Sequence, residues 1–132
     1  MCNRRCSKGE FGICAFTLNI HKGLSTFNRR VVIHELREGL RALDADIVFL
    51  QEVSGRHDQH AERHNAWPEG PQHEFLADLG WSDSAYGRNV VHESREHGNA
   101  ILSRYPIVHW ENQDVSSHRF ERRGLLHCEM RV

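Results

Sequence analysis

Two residues of this 132-residue chain combine the chemistry and the placement of a hard-cation site, the carboxamide of Asn19 and the carboxylate of Glu52. Oxygen donors of these kinds suit Mg²⁺ or Mn²⁺, which binds few protein ligands and keeps several waters. Each residue closes a run with strand character. In CAFTLNIHKG, Cys14, Phe16, Leu18 and Ile20 alternate with Ala15, Thr17, Asn19 and His21, the period of a half-buried strand. In ADIVFLQEVSG, Ile47 to Leu50 is apolar on both faces, the pattern of a strand covered on both sides, and Gln51 and Glu52 follow at its carboxyl end. Read from these residues alone, Asn19 as a turn cap and Glu52 as a solvated strand end account for the pattern equally well.

The elements between the two runs must bring them together. Val32, Ile33, Leu36, Leu40 and Leu43 recur at spacings of three and four and predict an amphipathic helix over roughly residues 27–43, with Ser25, Thr26 and Asn28 as N-cap candidates. A strand, a crossover helix and a buried strand make a βαβ unit, whose two strands are parallel. Asn19 and Glu52 then emerge on one rim, the carboxyl end of the sheet, where open α/β sheets bind their ligands.

Residues 54–71 are polar and broken by Gly55, Pro68, Gly70 and Pro71, which predicts a surface excursion. Glu74, Phe75, Leu76 and Leu79 predict a short helix stopped by a left-handed Gly80. Trp81 and Tyr86 follow, aromatics that could stack on a base or a lipid headgroup but that beside a helix end are more often core. AYGRNVV places Arg88 and Asn89 in a glycine-marked turn, and HGNAILSRYPI reads as a strand over about 99–103 with a hairpin-like return through Ile107, Val108 and Trp110. From Leu126 the residues alternate to Val132, so the chain is expected to stop inside a strand. The predicted helices can cover only one face of a sheet, which leaves an apolar surface on the other.

Composition narrows the class. A net charge of −1 argues against a strongly basic nucleic-acid binder, although nearly all the positive charge is arginine, suited to bidentate phosphate contacts. Mean hydropathy of −0.63 with no long apolar run predicts no transmembrane segment, and no secretory signal is evident near the start, so a cytoplasmic chain is expected. Cys2, Cys6, Cys14 and Cys128 lack CxxC spacing and read as reduced and structural, with a zinc site at Cys2 and Cys6 the lesser alternative. His57, His60 and His64 could share a helix face and hold a borderline metal; a polar surface segment is the simpler account.

The strings LNIHKG, ADIVFLQEV and HGNAILSRYPI, in this order and at these separations, resemble the first half of the endonuclease/exonuclease/phosphatase superfamily of metal-dependent phosphodiesterases. FNRR, ELR, EFLADLGWSD and YGRN extend the resemblance to a bacterial subgroup from about Phe11 to Val132. It implies an α/β fold that is one half of a four-layer α/β/β/α sandwich, apparently truncated: a single mixed sheet with helices on one face. Residues 1–10 would be a flexible tail and 11–132 the N-terminal half of the domain.

The resemblance also implies that Asn19 and Glu52 hold Mg²⁺, with Mn²⁺ as a substitute, for metal-activated attack of water on a phosphoester. The substrate would be a nucleic acid or a phospholipid headgroup. His21, Lys22, Arg88, Asn89, Asn99 and Arg123 are substrate-binding candidates, with His97 beside them and Arg122 preceding Arg123. The family's water-activating aspartate, Gly-Asp-x-Asn motif and Asp-His pair have no match in this sequence. The isolated chain is therefore expected to bind metal weakly without turnover, its missing C-terminal half supplied in cis or in trans as in a split enzyme. A non-catalytic metal-binding or interaction module built on the histidine-rich segment is the alternative.

Overall fold

The computed structural model describes residues 12–24, 32–57, 70–78, 80–92, 95–117 and 123–132. Strand β1 (Ala15–Asn19) pairs in parallel with β2 (Ile47–His57), Ala15 opposite Ile47 and Asn19 opposite Gln51. Helix α1 (Ile33–Leu43) is the crossover between them. Strand β4 (Arg95–Ser103) runs antiparallel along the other edge of β2, and β3 (Asp83–His92) antiparallel along β4, so the mixed sheet has the order β1-β2-β4-β3. The βαβ unit is as the sequence predicts.

One face of the sheet carries the core. Val48, Leu50, Ala100 and Leu102 are buried with Ile33 and Leu40 of α1 and with Leu76 of α2 (Gln72–Ala77). The two helices touch on that side: the Phe75 ring meets the His34 ring edge-on at 5.0 Å and lies under the Arg37 guanidinium at 4.6 Å. Trp81 is buried as expected, and its indole N–H donates to the Ala45 carbonyl at 3.1 Å. Asp44 ends α1 in the left-handed region, with φ 55°, and its carboxylate receives Arg104 Nη2 at 2.6 Å.

The opposite face is covered in part. Strands β5 (Ile107–Asp114) and β6 (Gly124–Met130) form a separate antiparallel ribbon that packs over β3 and β4 and buries Ala85 and Ile101. Phe49 on β2 stays 41% exposed, whereas the sequence leads one to expect a larger apolar surface across this face.

Several local expectations are corrected. Helix α1 begins at Ile33 after a non-helical Val32, and the N-cap candidates before it lie outside the described residues. Gly80 does not take a left-handed conformation; α2 ends at Ala77, where the Asp78 N–H still reaches the Glu74 carbonyl at 3.1 Å. Arg88 and Asn89 lie within β3 rather than in a turn, because β4 extends back to Arg95 and supplies a partner strand. β5 pairs with β6 instead of returning onto β4, whose two edges are already taken by β2 and β3. Residues 54–57 continue β2 instead of opening a loop.

Cys14 is disulfide-bonded, not reduced, with its partner outside the described residues. Disulfides persist in oxidising compartments and are rare in the cytoplasm, so this bond does not support the cytoplasmic expectation. Cys128 is a free thiol whose pKa is raised, first by burial and then by the nearby Asp83 carboxylate. No helix among the described residues is long and apolar enough to cross a membrane.

Gly23 is the glycine on which the β1–α1 connection turns. Its φ of 72° disfavours any side chain, and a Cβ there would collide with Gln72 Nε2 and sit 3.1 Å from Ile33 Cβ. Gly23→Ala combines a left-handed alanine, costing about 1–2 kcal/mol, with overpacking of similar size. A loss of about 2–4 kcal/mol is expected, read as a lower urea midpoint at unchanged slope.

Candidate functional site

Glu52 does not simply end a strand. Between Leu50 and Val53, β2 carries one residue more than the facing stretch of β4, where Ala100 and Gly98 are the partners. That surplus makes a β-bulge at Gln51 and Glu52, and Glu52 takes φ 52° within it. A left-handed glutamate costs roughly 1–2 kcal/mol and persists where surrounding contacts over-determine it. The bulge turns Glu52 towards β1. Asn19 Nδ2 donates to Glu52 Oε1 at 3.0 Å, and Asn19 Oδ1 accepts the His21 N–H at 2.9 Å. His21 Nδ1 stands 3.5 Å from Glu52 Oε2, and the Glu52 side chain remains 45% exposed.

His21, Lys22 and Gly23 form a single 3₁₀ turn in which all three φ angles are positive, at 47°, 58° and 72°. This turn brings His21 beside the carboxylate and faces the Lys22 carbonyl inward, where it accepts Gln72 Nε2 at 2.7 Å.

A cleft of about 530 Å³ opens at this rim. Asn19, Gln51 and Glu52 form one wall, Asn89, His97, Gly98 and Asn99 the floor and far side, and Arg123 with Gly124 the margin from β6. Asn89 enters it through a second bulge: Arg88 faces Gly98 and Val90 faces His97, so Asn89 is the surplus residue of β3. Asn99 Nδ2 donates to the Gly124 carbonyl at 3.1 Å and ties the ribbon to the rim. Gly124 lets the ribbon approach this closely, since a Cβ there would collide with Asn89 Oδ1. The oxygens of Asn89 and Asn112 are buried without a hydrogen-bond partner.

The fold thus gathers Asn19, Glu52, Asn89, Asn99 and Arg123, with His97, around one cleft, and sets His21 beside Glu52. Lys22 and Arg88 do not line it. Gln51, Gly98 and Gly124 are lining residues that the sequence reading passed over. Gly98 carried a usable signal, since a glycine inside a strand marks close backbone approach. Arg122, Cys2, Cys6, His60 and His64 lie outside the described residues, as does the side chain of His57.

The cleft fits a hard cation in part. Among the described residues Glu52 is the single acid on its walls, and its carboxylate is oriented by a hydrogen bond and open to solvent. An amide oxygen has two lone pairs, so Asn19 Oδ1 can accept His21 and still face a cation. Among the described residues no three His, Cys, Asp or Glu side chains gather to hold a metal. The described residues thus offer one carboxylate and neighbouring amide oxygens on one side of the cleft.

The endonuclease/exonuclease/phosphatase family matches residues 16–129. The chain is 52% identical over 121 residues to the uncharacterized protein YbhP of Escherichia coli K12, a match covering 92% of this chain and 48% of YbhP; that of Shigella flexneri matches equally. The chain therefore spans about half the length of these relatives.

Among solved structures, an endonuclease/exonuclease/phosphatase from Beutenbergia cavernae superposes with a TM-score of 0.66 at 24% identity, over 91% of this chain and 34% of its own. A family protein from Leptotrichia buccalis gives 0.65 at 14% identity, over 89% and 49%. These likenesses show the fold: a mixed sheet with helices on one face, one half of the family's α/β architecture. With the family matched along nearly its whole length, this chain belongs to the endonuclease/exonuclease/phosphatase family.

Proposed function

We propose that this chain is the N-terminal half, over residues 11–132, of a Mg²⁺-dependent phosphoric ester hydrolase, and that it contributes the metal-holding side of the active site. The observation that carries the reading is the 3.0 Å hydrogen bond by which Asn19 of β1 orients the Glu52 carboxylate across the rim. Glu52 supplies the charged oxygen ligand, and Asn19 fixes its rotamer and offers its own oxygen. Bound there, Mg²⁺ or Mn²⁺ would stabilise the charge that develops on the phosphoryl oxygens.

The remaining roles follow from position. In this reading Arg123, at the cleft margin, pairs with a phosphate, and Asn99 and Asn89 hydrogen-bond its ester oxygens or the adjoining sugar or headgroup. His21 borders the metal side. The substrate is a phosphoester of a nucleic acid or a phospholipid headgroup. Activation of the attacking water falls to the other half, in cis or in trans, whose docking would also cover Phe49 on the open face.

Titration of the chain with Mn²⁺, followed by NMR line broadening, tests this. Broadening is expected first at Asn19, His21 and Glu52, with a dissociation constant on the order of a millimolar for a site with few protein ligands. Broadening centred elsewhere, or none by about ten millimolar, would refute the assignment.

A further inference from the structure

Gln72, the first residue of α2, has its side chain wholly buried although it is polar. Both ends of its carboxamide are used. Nε2 donates to the Lys22 carbonyl at 2.7 Å, and Oε1 accepts the Ser54 N–H at 2.9 Å. The first partner lies three residues beyond Asn19 and the second two residues beyond Glu52, so one side chain joins the two segments that carry the candidate metal pair.

The joint closes a ring of contacts. From Gln72 it runs through the Lys22 carbonyl and the left-handed turn to the His21 N–H, then to Asn19 Oδ1, and from Asn19 Nδ2 to Glu52 Oε1. It returns along β2 from the bulge to Ser54 and the other end of the same carboxamide. Two further features fit this role. Gly23 leaves the space that Nε2 occupies, since a Cβ there would collide with it. Next to Gln72, His73 stacks on Tyr86 at 4.9 Å, and the Tyr86 hydroxyl donates to the Val53 carbonyl at 3.4 Å, so α2 holds β2 at successive residues just past the bulge.

We propose that Gln72 is a positioning residue that sets the separation and orientation of Asn19 and Glu52 from behind the cleft. The assignment rests on the reading of that pair as the metal-holding side of the site. Three positive φ angles in a row and a left-handed glutamate relax unless something fixes both segments, and a buried donor–acceptor bridge does so. Partners behind a metal ligand typically change affinity by about 10–100-fold when removed.

The test uses the 132-residue chain, isotope-labelled, with Gln72→Leu, Gln72→Glu and, as a control from the same helix, the core variant Leu76→Ala. Two readouts are taken: the NMR signals of the Asn19 side-chain amide and His21 N–H, and the Mn²⁺ dissociation constant. Gln72→Leu is expected to move both signals and weaken Mn²⁺ about tenfold or more. Gln72→Glu keeps the acceptor for Ser54 but loses the donor to Lys22, so it is expected to move the same signals and also weaken Mn²⁺; it carries the test if the leucine variant does not fold.

Leu76→Ala should lower thermal stability while leaving both readouts in place. If neither Gln72 variant differs from Leu76→Ala in these readouts, the positioning role is overturned. If the unsubstituted chain binds no Mn²⁺ at Glu52, the metal reading fails, and the Asn19 and His21 signals alone then decide whether Gln72 positions the pair.

Discussion

Glu52→Ala is expected to abolish Mn²⁺ binding at the rim and, in a hydrolase containing both halves, to lower turnover about a thousandfold or more. The size follows from the single charge at stake. Among the described residues Glu52 is the one acid lining the cleft, so its removal leaves a divalent cation facing amides, an imidazole and a guanidinium. Losing several kcal/mol of charge stabilisation corresponds to three or more powers of ten in rate.

Folding responds differently from binding at this position. Alanine inherits the left-handed conformation at φ 52°, whereas glycine adopts it without penalty. Glu52→Gly should therefore be more stable than Glu52→Ala by about 1 kcal/mol in urea unfolding while binding Mn²⁺ no better. Equal stability would mean that the bulge relaxes once the carboxylate is gone. Retained Mn²⁺ affinity in either variant would remove Glu52 from the site.

The pairing of Asn19 with Glu52 was legible because three independent constraints converge on it. The period-two run before Asn19, the doubly apolar run before Glu52 and an intervening helix of crossover length leave parallel adjacent strands as the economical solution, and parallel strands share a carboxyl rim. Trp81 and Tyr86 were legible as core for a similar reason, since large rings beside a helix end have little else to do but pack.

What stayed hidden depends on partners distant in sequence. Whether β2 stops at Glu52 or bulges and runs on to His57 is decided by β4, some fifty residues away, whose Gly98 and His97 continue the ladder. The same strand turns the apparent loop at Arg88 and Asn89 into a bulged strand, and that bulge is what aims Asn89 into the cleft. Gln72 has no signature in the sequence at all. A glutamine opening a six-residue helix looks like a solvated polar residue until Lys22 and Ser54 are seen on either side of it.

Gly98→Ala is expected to destabilise the fold strongly. Gly98 lies on β4 with Val53 on one side and Arg88 on the other, between the bulges of β2 and β3. A Cβ there would collide with the Gly87 carbonyl oxygen and stand 2.9 Å from the Gly87 carbonyl carbon and 3.1 Å from Arg88 Cα. All three neighbours are backbone, so no rotamer change relieves the contact, and the β3–β4 ladder itself must move. Overpacking against flexible side chains costs about 1–3 kcal/mol; against a paired central strand the cost should reach about 3 kcal/mol or more, a large share of the stability of a domain this size. Gly80→Ala provides the control, since its Cβ meets nothing within 4 Å and its φ is ordinary. That variant should be neutral or stabilised by up to about 1 kcal/mol through the unfolded state. Urea unfolding of the two proteins side by side separates the effects. A Gly98→Ala midpoint equal to that of Gly80→Ala would mean that β3 and β4 do not meet at this register, and the floor of the cleft would have to be rebuilt.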